Sequence, residues 1–129
     1  MNARAADLWA RAEKALAVAR MVLSLDPDSA ASRAYYAAFY AVSARFALED
    51  AAFRKHSAVE AAVHRDLVKK GVWSPELGQA HSRLAEVRSI GDYGEIEHVS
   101  EQRAAEAIQL AESIIVAIAD EHPDVLSFP

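Results

Sequence analysis

The chain has 129 residues, of which 53% are hydrophobic and 26% charged, and a formal net charge of −5. That is one domain's worth of material, able to bury a core without disulfide or metal staples, and its acidic balance excludes long-range attraction to phosphate backbones, so any nucleic-acid contact is local. The absence of cysteine excludes thiol catalysis and thiolate metal sites and suits a reducing cytoplasm.

Alanine dominates, leucine and glutamate are frequent, and apolar residues recur at three- and four-residue steps almost throughout, which predicts an all-α chain. The first helix is expected from about Arg4 to Leu25, with Leu8, Ala12, Ala15, Ala19, Val22 and Leu23 as its apolar stripe. Charges within this segment rule out a secretion signal, and no run along the chain reaches the ~18 apolar residues of a membrane span. Asp26-Pro27-Asp28 stops the helix, since proline disfavours helical geometry in the residue before it.

The second helix is expected from Ser29 to about Leu48 and is apolar nearly all round, which places it in the middle of a bundle. Ser57-Ala58-Val59-Glu60 has the form of a capping box opening a third helix that runs to Lys70 and ends at Gly71. Ser74 and Pro75 open a fourth helix, expected to end near Gly91. Gly91-Asp92-Tyr93-Gly94 interrupts the pattern, and Ser100 caps a fifth helix from Glu101 to about Glu121, with residues 122–129 as a tail. Short connections predict five mostly antiparallel helices in one domain spanning residues 1–129. Leu110, Val116 and Ala117 widen the apolar surface of the fifth helix beyond one stripe, and that surplus predicts a homodimer.

Ser32-Arg33-Ala34-Tyr35-Tyr36-Ala37-Ala38-Phe39, His56 at the start of the third helix, and Arg88-Ser89-Ile90-Gly91-Asp92-Tyr93-Gly94 stand in this order along the chain. Together they resemble one branch of the HEPN superfamily. The resemblance implies a four- or five-helix bundle that pairs as a homodimer, and a metal-independent endoribonuclease activity or an RNA-binding role in a toxin–antitoxin or defence pair. It also implies a minimal nucleotidyltransferase as partner, with Tyr93 as the tyrosine that such a partner adenylylates. The nuclease motif of the family pairs an arginine with a histidine four to six residues later, and no arginine here has one. Arg88 precedes His98, and Arg54 precedes His64, each by a longer interval.

Metal-free cleavage of RNA needs one group to move a proton and another to steady the phosphate charge. Arg88 is the candidate for the phosphate, and His56, or Asp92 with Tyr93, would have to move the proton. Arg33, Tyr36 and Tyr93 are the candidate substrate- or nucleotide-binding residues. The structural alternative is an ion pair between a buried Arg33 and Asp92 that fastens the break after the fourth helix onto the second, in a catalytically silent homodimeric interaction module. Tyr35, Tyr36, Phe39 and Tyr40 read as core, and Trp9 and Trp73 as possible interface anchors. No histidine pair has metal-ligand spacing and no cofactor motif is present, so neither metal nor cofactor is expected.

Overall fold

The computed structural model describes residues 2–128, which form an all-helical bundle without a strand among the described residues. Its helices are α1 (Ala3–Val22), α2 (Pro27–Ala47), α3 (His56–Ala62), α4 (Pro75–Tyr93) and α5 (Glu101–Glu121). A π-helical segment, Val63–Val68, continues α3.

Four of the five helix starts follow from local chemistry. Asn2, Asp26, Ser74 and Ser100 each accept a backbone N–H of the first turn, at Ala5, Ser29, Leu77 and Arg103. The second helix begins two residues earlier than the sequence predicts because Pro27 occupies the first turn, where its missing N–H costs nothing. The third departs from expectation in kind. It starts at His56 behind Lys55, with no side-chain cap, and the predicted Ser57–Glu60 box does not form. Glu60 is instead turned inward to His81 and Ser82 of α4, where a carboxylate gains more than at a solvated helix end.

The central position of α2 is as its composition predicts: α1, α4 and α5 all pack on it. Alanines 30, 31, 34, 37, 38, 41 and 44 are fully buried and let these neighbours approach closely. Asn2 Nδ2 donates to the carbonyl of Ala47, which sets α1 antiparallel to α2. The two ends of α2 meet the two ends of α5 in order, through Asp28 with Val99 and Arg45 with Glu121, so those helices run parallel. Trp9 and Trp73 are core residues, not interface anchors; Trp9 Nε1 donates to the carbonyl of Ser127, and Leu126 is buried beside it in the core, so the C-terminal segment folds back onto α1.

The α5 stripe of Ala104, Ala107, Ile108, Ala111, Ile114, Ile115 and Ile118 is buried as expected. Its flank is better covered than predicted. Leu110 and Ala117 are half-buried, whereas the most exposed apolar side chains are Met21 and Leu25 after the middle of α1 and Tyr93 and Ile96 at the end of α4 and beyond. The helix α4 also runs through Gly91 to Tyr93. A Cβ on Gly91 would stand 2.7 Å from the carbonyl oxygen of Asp28, so this glycine serves close packing on the start of α2, not helix termination. Gly71, by contrast, has φ +79° and ends its helix as expected.

Candidate functional site

Helical spacing on α2 puts Arg33 and Tyr36 on one face, and Tyr35 with Phe39 on another. The end of α4 brings Arg88, Asp92 and Tyr93 against these rings, and the extended link after α2 returns His56 to them. Arg88 is the centre of the cluster. Its guanidinium carbon lies 4.9 Å from the centre of the Tyr35 ring, 5.9 Å from Tyr36 and 5.7 Å from Tyr93. Aromatic faces attract a cation without consuming its N–H donors. Asp92, one turn along α4, pairs with it loosely at 3.6 Å, and the buried Nε has no partner among the described residues. The arginine is therefore fixed in place while retaining donors for an incoming anion.

His56 is held on three sides. Its ring stacks on Phe39 at 4.5 Å, meets Tyr36 edge-on at 5.5 Å, and places Nδ1 2.9 Å from the hydroxyl of Tyr35. Burial lowers the pKa of His56, and the nearby positive charge of Arg88 lowers it further, so the ring is neutral at pH 7. Burial also pushes the Tyr35 phenol up to about 12, beyond what the opposing charge of Arg88 offsets. A phenol that keeps its proton can either donate to Nδ1 or accept from Nδ1–H; in the second tautomer the neutral ring has Nε2 free to accept a proton.

Of the residues singled out in the sequence, His56, Arg88, Asp92, Tyr36, Tyr93 and Arg33 gather around one patch, but their pairing differs from the one predicted. Arg33 is half-buried and stacks on Tyr36 at 4.8 Å. Asp92 pairs with Arg88, its neighbour on the same helix, instead of crossing to Arg33. The buried cation of α2 is Arg45, two turns from the patch towards the other end of the helix. It binds Glu121 at 2.6 Å and Glu49 at 3.1 Å. Tyr35, read as core, is indeed 1% exposed, yet it links His56 to Arg88. Its four-residue spacing to Phe39 was the only sequence signal for that role.

Asp28 fixes the segment that follows the patch. One of its carboxylate oxygens accepts the backbone N–H of Val99 at 2.7 Å, and the other lies 2.8 Å from Nδ1 of His98. A second polar cluster joins the π-helical segment to α4: Glu60 accepts from His81 Nδ1 and from Ser82, and His64 Nε2 lies 3.0 Å from Glu60 and 2.9 Å from Ser82. No group of three or more potential ligands suited to a metal ion occurs among the described residues, and no helix is long and apolar enough to cross a membrane.

Comparison with known proteins finds a family and a relative. A family model described as HEPN domain matches residues 5–121. A UPF0332 protein of Thermotoga maritima is 40% identical over 114 residues, which cover 87% of this chain and 86% of that protein.

Proposed function

This chain belongs to the HEPN domain family, and on that footing we propose that it binds RNA and acts as a ribonuclease-like component of a toxin–antitoxin or defence pair. The observation that carries the reading is the convergence of Arg88 and His56 on the rings of Tyr35 and Tyr36. In this reading Arg88 and His56 take the parts that the family motif gives to its arginine and histidine. Arg88 offers donors and charge to a phosphate, and the neutral His56 ring accepts the proton of the attacking ribose 2′-hydroxyl on Nε2, becoming imidazolium as the new phosphorus–oxygen bond forms. Asp92 holds Arg88, while Arg33, Tyr36 and Tyr93 present a cation and two rings to neighbouring nucleotides.

The cytoplasm, a homodimeric state and a nucleotidyltransferase partner belong to the same proposal. The cysteine-free composition suits the first, the exposed apolar residues Met21, Leu25 and Ile96 suit the second, and the exposed hydroxyl-bearing Tyr93 suits modification by the third. One observation favours a second reading, a catalytically silent interaction module. Arg88 is enclosed by three rings and a carboxylate, as a structural cation is.

Incubation of purified protein with RNA separates the two readings. Cleavage or binding that disappears in Arg88→Ala, with cleavage alone lost in His56→Ala, is expected from the first. An Arg88→Ala protein that loses stability but never bound RNA in its parent form is the outcome of the second.

A further inference from the structure

The seam between α1 and α2 carries two cations, Arg11 and Lys14, that the Arg88 and His56 patch does not use. Arg11 and Lys14 of α1 and Arg33 of α2 line a cavity of about 250 Å³ together with Ala15, Val18 and Tyr40. None of the six is acidic, in a chain of net charge −5. Arg11 does pair with Asp7 at 3.2 Å, but both side chains are more than half exposed, and such a pair contributes little and yields to a competing anion.

This cavity does not end at Arg33. Arg33 and Val18 also line a second cavity of about 310 Å³, whose far side is formed by Gly91 and Asp92 at the Arg88 patch. Rings alternate with the cations along the way. Arg11 lies 6.0 Å from the centre of Tyr40, Tyr40 is 5.9 Å from Tyr36, and Tyr36 carries Arg33 at 4.8 Å and Arg88 at 5.9 Å.

We propose that this seam is a binding track for the backbone of single-stranded RNA, leading from Arg11 and Lys14 past Arg33 to Arg88; the inference rests on the RNA reading above. The cations neutralise successive phosphates. Tyr40 lines the seam and Tyr36 packs beside it, both half-buried, and rings recessed in this way are within reach of an unpaired base and not of one stacked in a duplex, so a strand fits and a duplex does not. Neither Arg11 nor Lys14 belongs to the motif residues, and both are exposed, so they can be changed without disturbing the core.

The test is fluorescence anisotropy of a short labelled oligouridylate across a series of salt concentrations, using the full chain and its Arg11→Gln/Lys14→Gln variant, with unchanged far-ultraviolet circular dichroism as the check on folding. The expected result is an affinity lowered by about tenfold or more, with the slope of log K against log salt shallower by about 1.4, or ~0.7 for each lost contact to a single strand. Wild-type affinity and slope in the variant, with binding abolished by Arg88→Ala, would overturn the track and leave the site standing. Failure of the parent protein to bind oligouridylate at any salt would overturn both. Equal binding of duplex RNA, or of oligoglutamate with the same dependence on Arg11 and Lys14, would overturn the assignment to a single strand in favour of a duplex or an acidic partner surface.

Discussion

Tyr35 holds His56 by a hydrogen bond of 2.9 Å between its hydroxyl and Nδ1 while the ring of the same tyrosine carries Arg88. Tyr35→Phe removes the first link and keeps the second. The ring still packs, so the stability loss is about 1 kcal/mol, that of one hydrogen bond. RNA affinity is expected to stay within twofold of the parent, because Arg88 keeps its support. Any cleavage is expected to fall ~100-fold, the lower end of what a positioned proton-transfer group contributes. Single-turnover cleavage alongside anisotropy measures both, and an unchanged rate removes His56 from proton transfer.

The physical origin of that link also marks how far the sequence could be read. The all-round apolarity of α2 announced its central place, and Asp26, Ser74, Ser100 and Gly71 announced helix ends, because these signals act within one turn of chain. The residues of the patch were legible as motifs, but their partners were not. Arg33 was matched to Asp92 by the need of a buried cation for a partner, whereas Arg33 found a ring three residues away and Asp92 an arginine four residues away. Glu60 was drawn from a helix cap to His81 and Ser82, which lie some twenty residues further along the chain. Local spacing outweighed long-range pairing in the first case and lost to it in the second, and only the packed bundle decides between them.

Gly91 is expected to tolerate no side chain. A Cβ there meets the backbone carbonyl of Asp28, which cannot swing aside as a flexible side chain would. Gly91→Ala should therefore cost about 1–3 kcal/mol by overpacking. It should also loosen the end of α4 that carries Asp92 and Tyr93, read as faster amide exchange there than in the rest of α4. Urea titration with hydrogen exchange gives both values, and an unaltered midpoint would refute the close-approach role.

Acid should weaken the fold through Glu60. Burial pushes its carboxyl up, but hydrogen bonds from His81, Ser82 and His64 and the charge of His81 outweigh this and hold it at about 2. A carboxyl whose folded pKa is depressed contributes stability that is present above its unfolded value of about 4.3 and is lost as pH falls towards 2. The loss should be on the order of 2 kcal/mol across that window. His56 acts in the same sense at higher pH, since its lowered pKa makes the unfolded chain bind the proton more readily below its ordinary value. Denaturation midpoints from pH 7 to 2.5 measure the curve, and Glu60→Gln should flatten its acid limb.

Arg45, buried, and Glu121, half-buried, form the pair that joins the ends of α2 and α5, with side-chain exposures of 7% and 23%. Removing Arg45 leaves the carboxylate of Glu121 without its partner in a partly solvated place, at a cost of about 1–3 kcal/mol. Arg45→Met alone should approach that figure. The double change Arg45→Met/Glu121→Leu should recover most of it, because an apolar pair of similar size needs no counter-charge. A double-mutant cycle by urea unfolding gives the coupling, and additive losses would show that the pair acts only through shape.

The homodimer is the prediction with the widest consequence, and the exposed apolar residues say where it should form. Met21 and Leu25 are 82% and 86% exposed, and Tyr93 and Ile96 are 71% and 93% exposed. Both pairs belong to the end of the bundle where Val18 and Val22 of α1 line a cavity with Gly91 and Asp92 of α4. Val116, on the α5 flank, is 40% exposed. Met21, Leu25 and Ile96 at one end make a patch that monomers generally avoid, and a two-fold contact over these three, leaving Tyr93 at its rim, is the commonest way to cover it. Such a contact would also set two copies of the Arg88 patch near one axis. Light scattering at micromolar concentration should give twice the chain mass. Leu25→Asp/Ile96→Asp should convert the protein to a monomer with its helicity intact, whereas Val116→Asp should leave the dimer in place. The reverse pattern would move the interface to α5, and a monomeric parent protein would remove the dimer altogether.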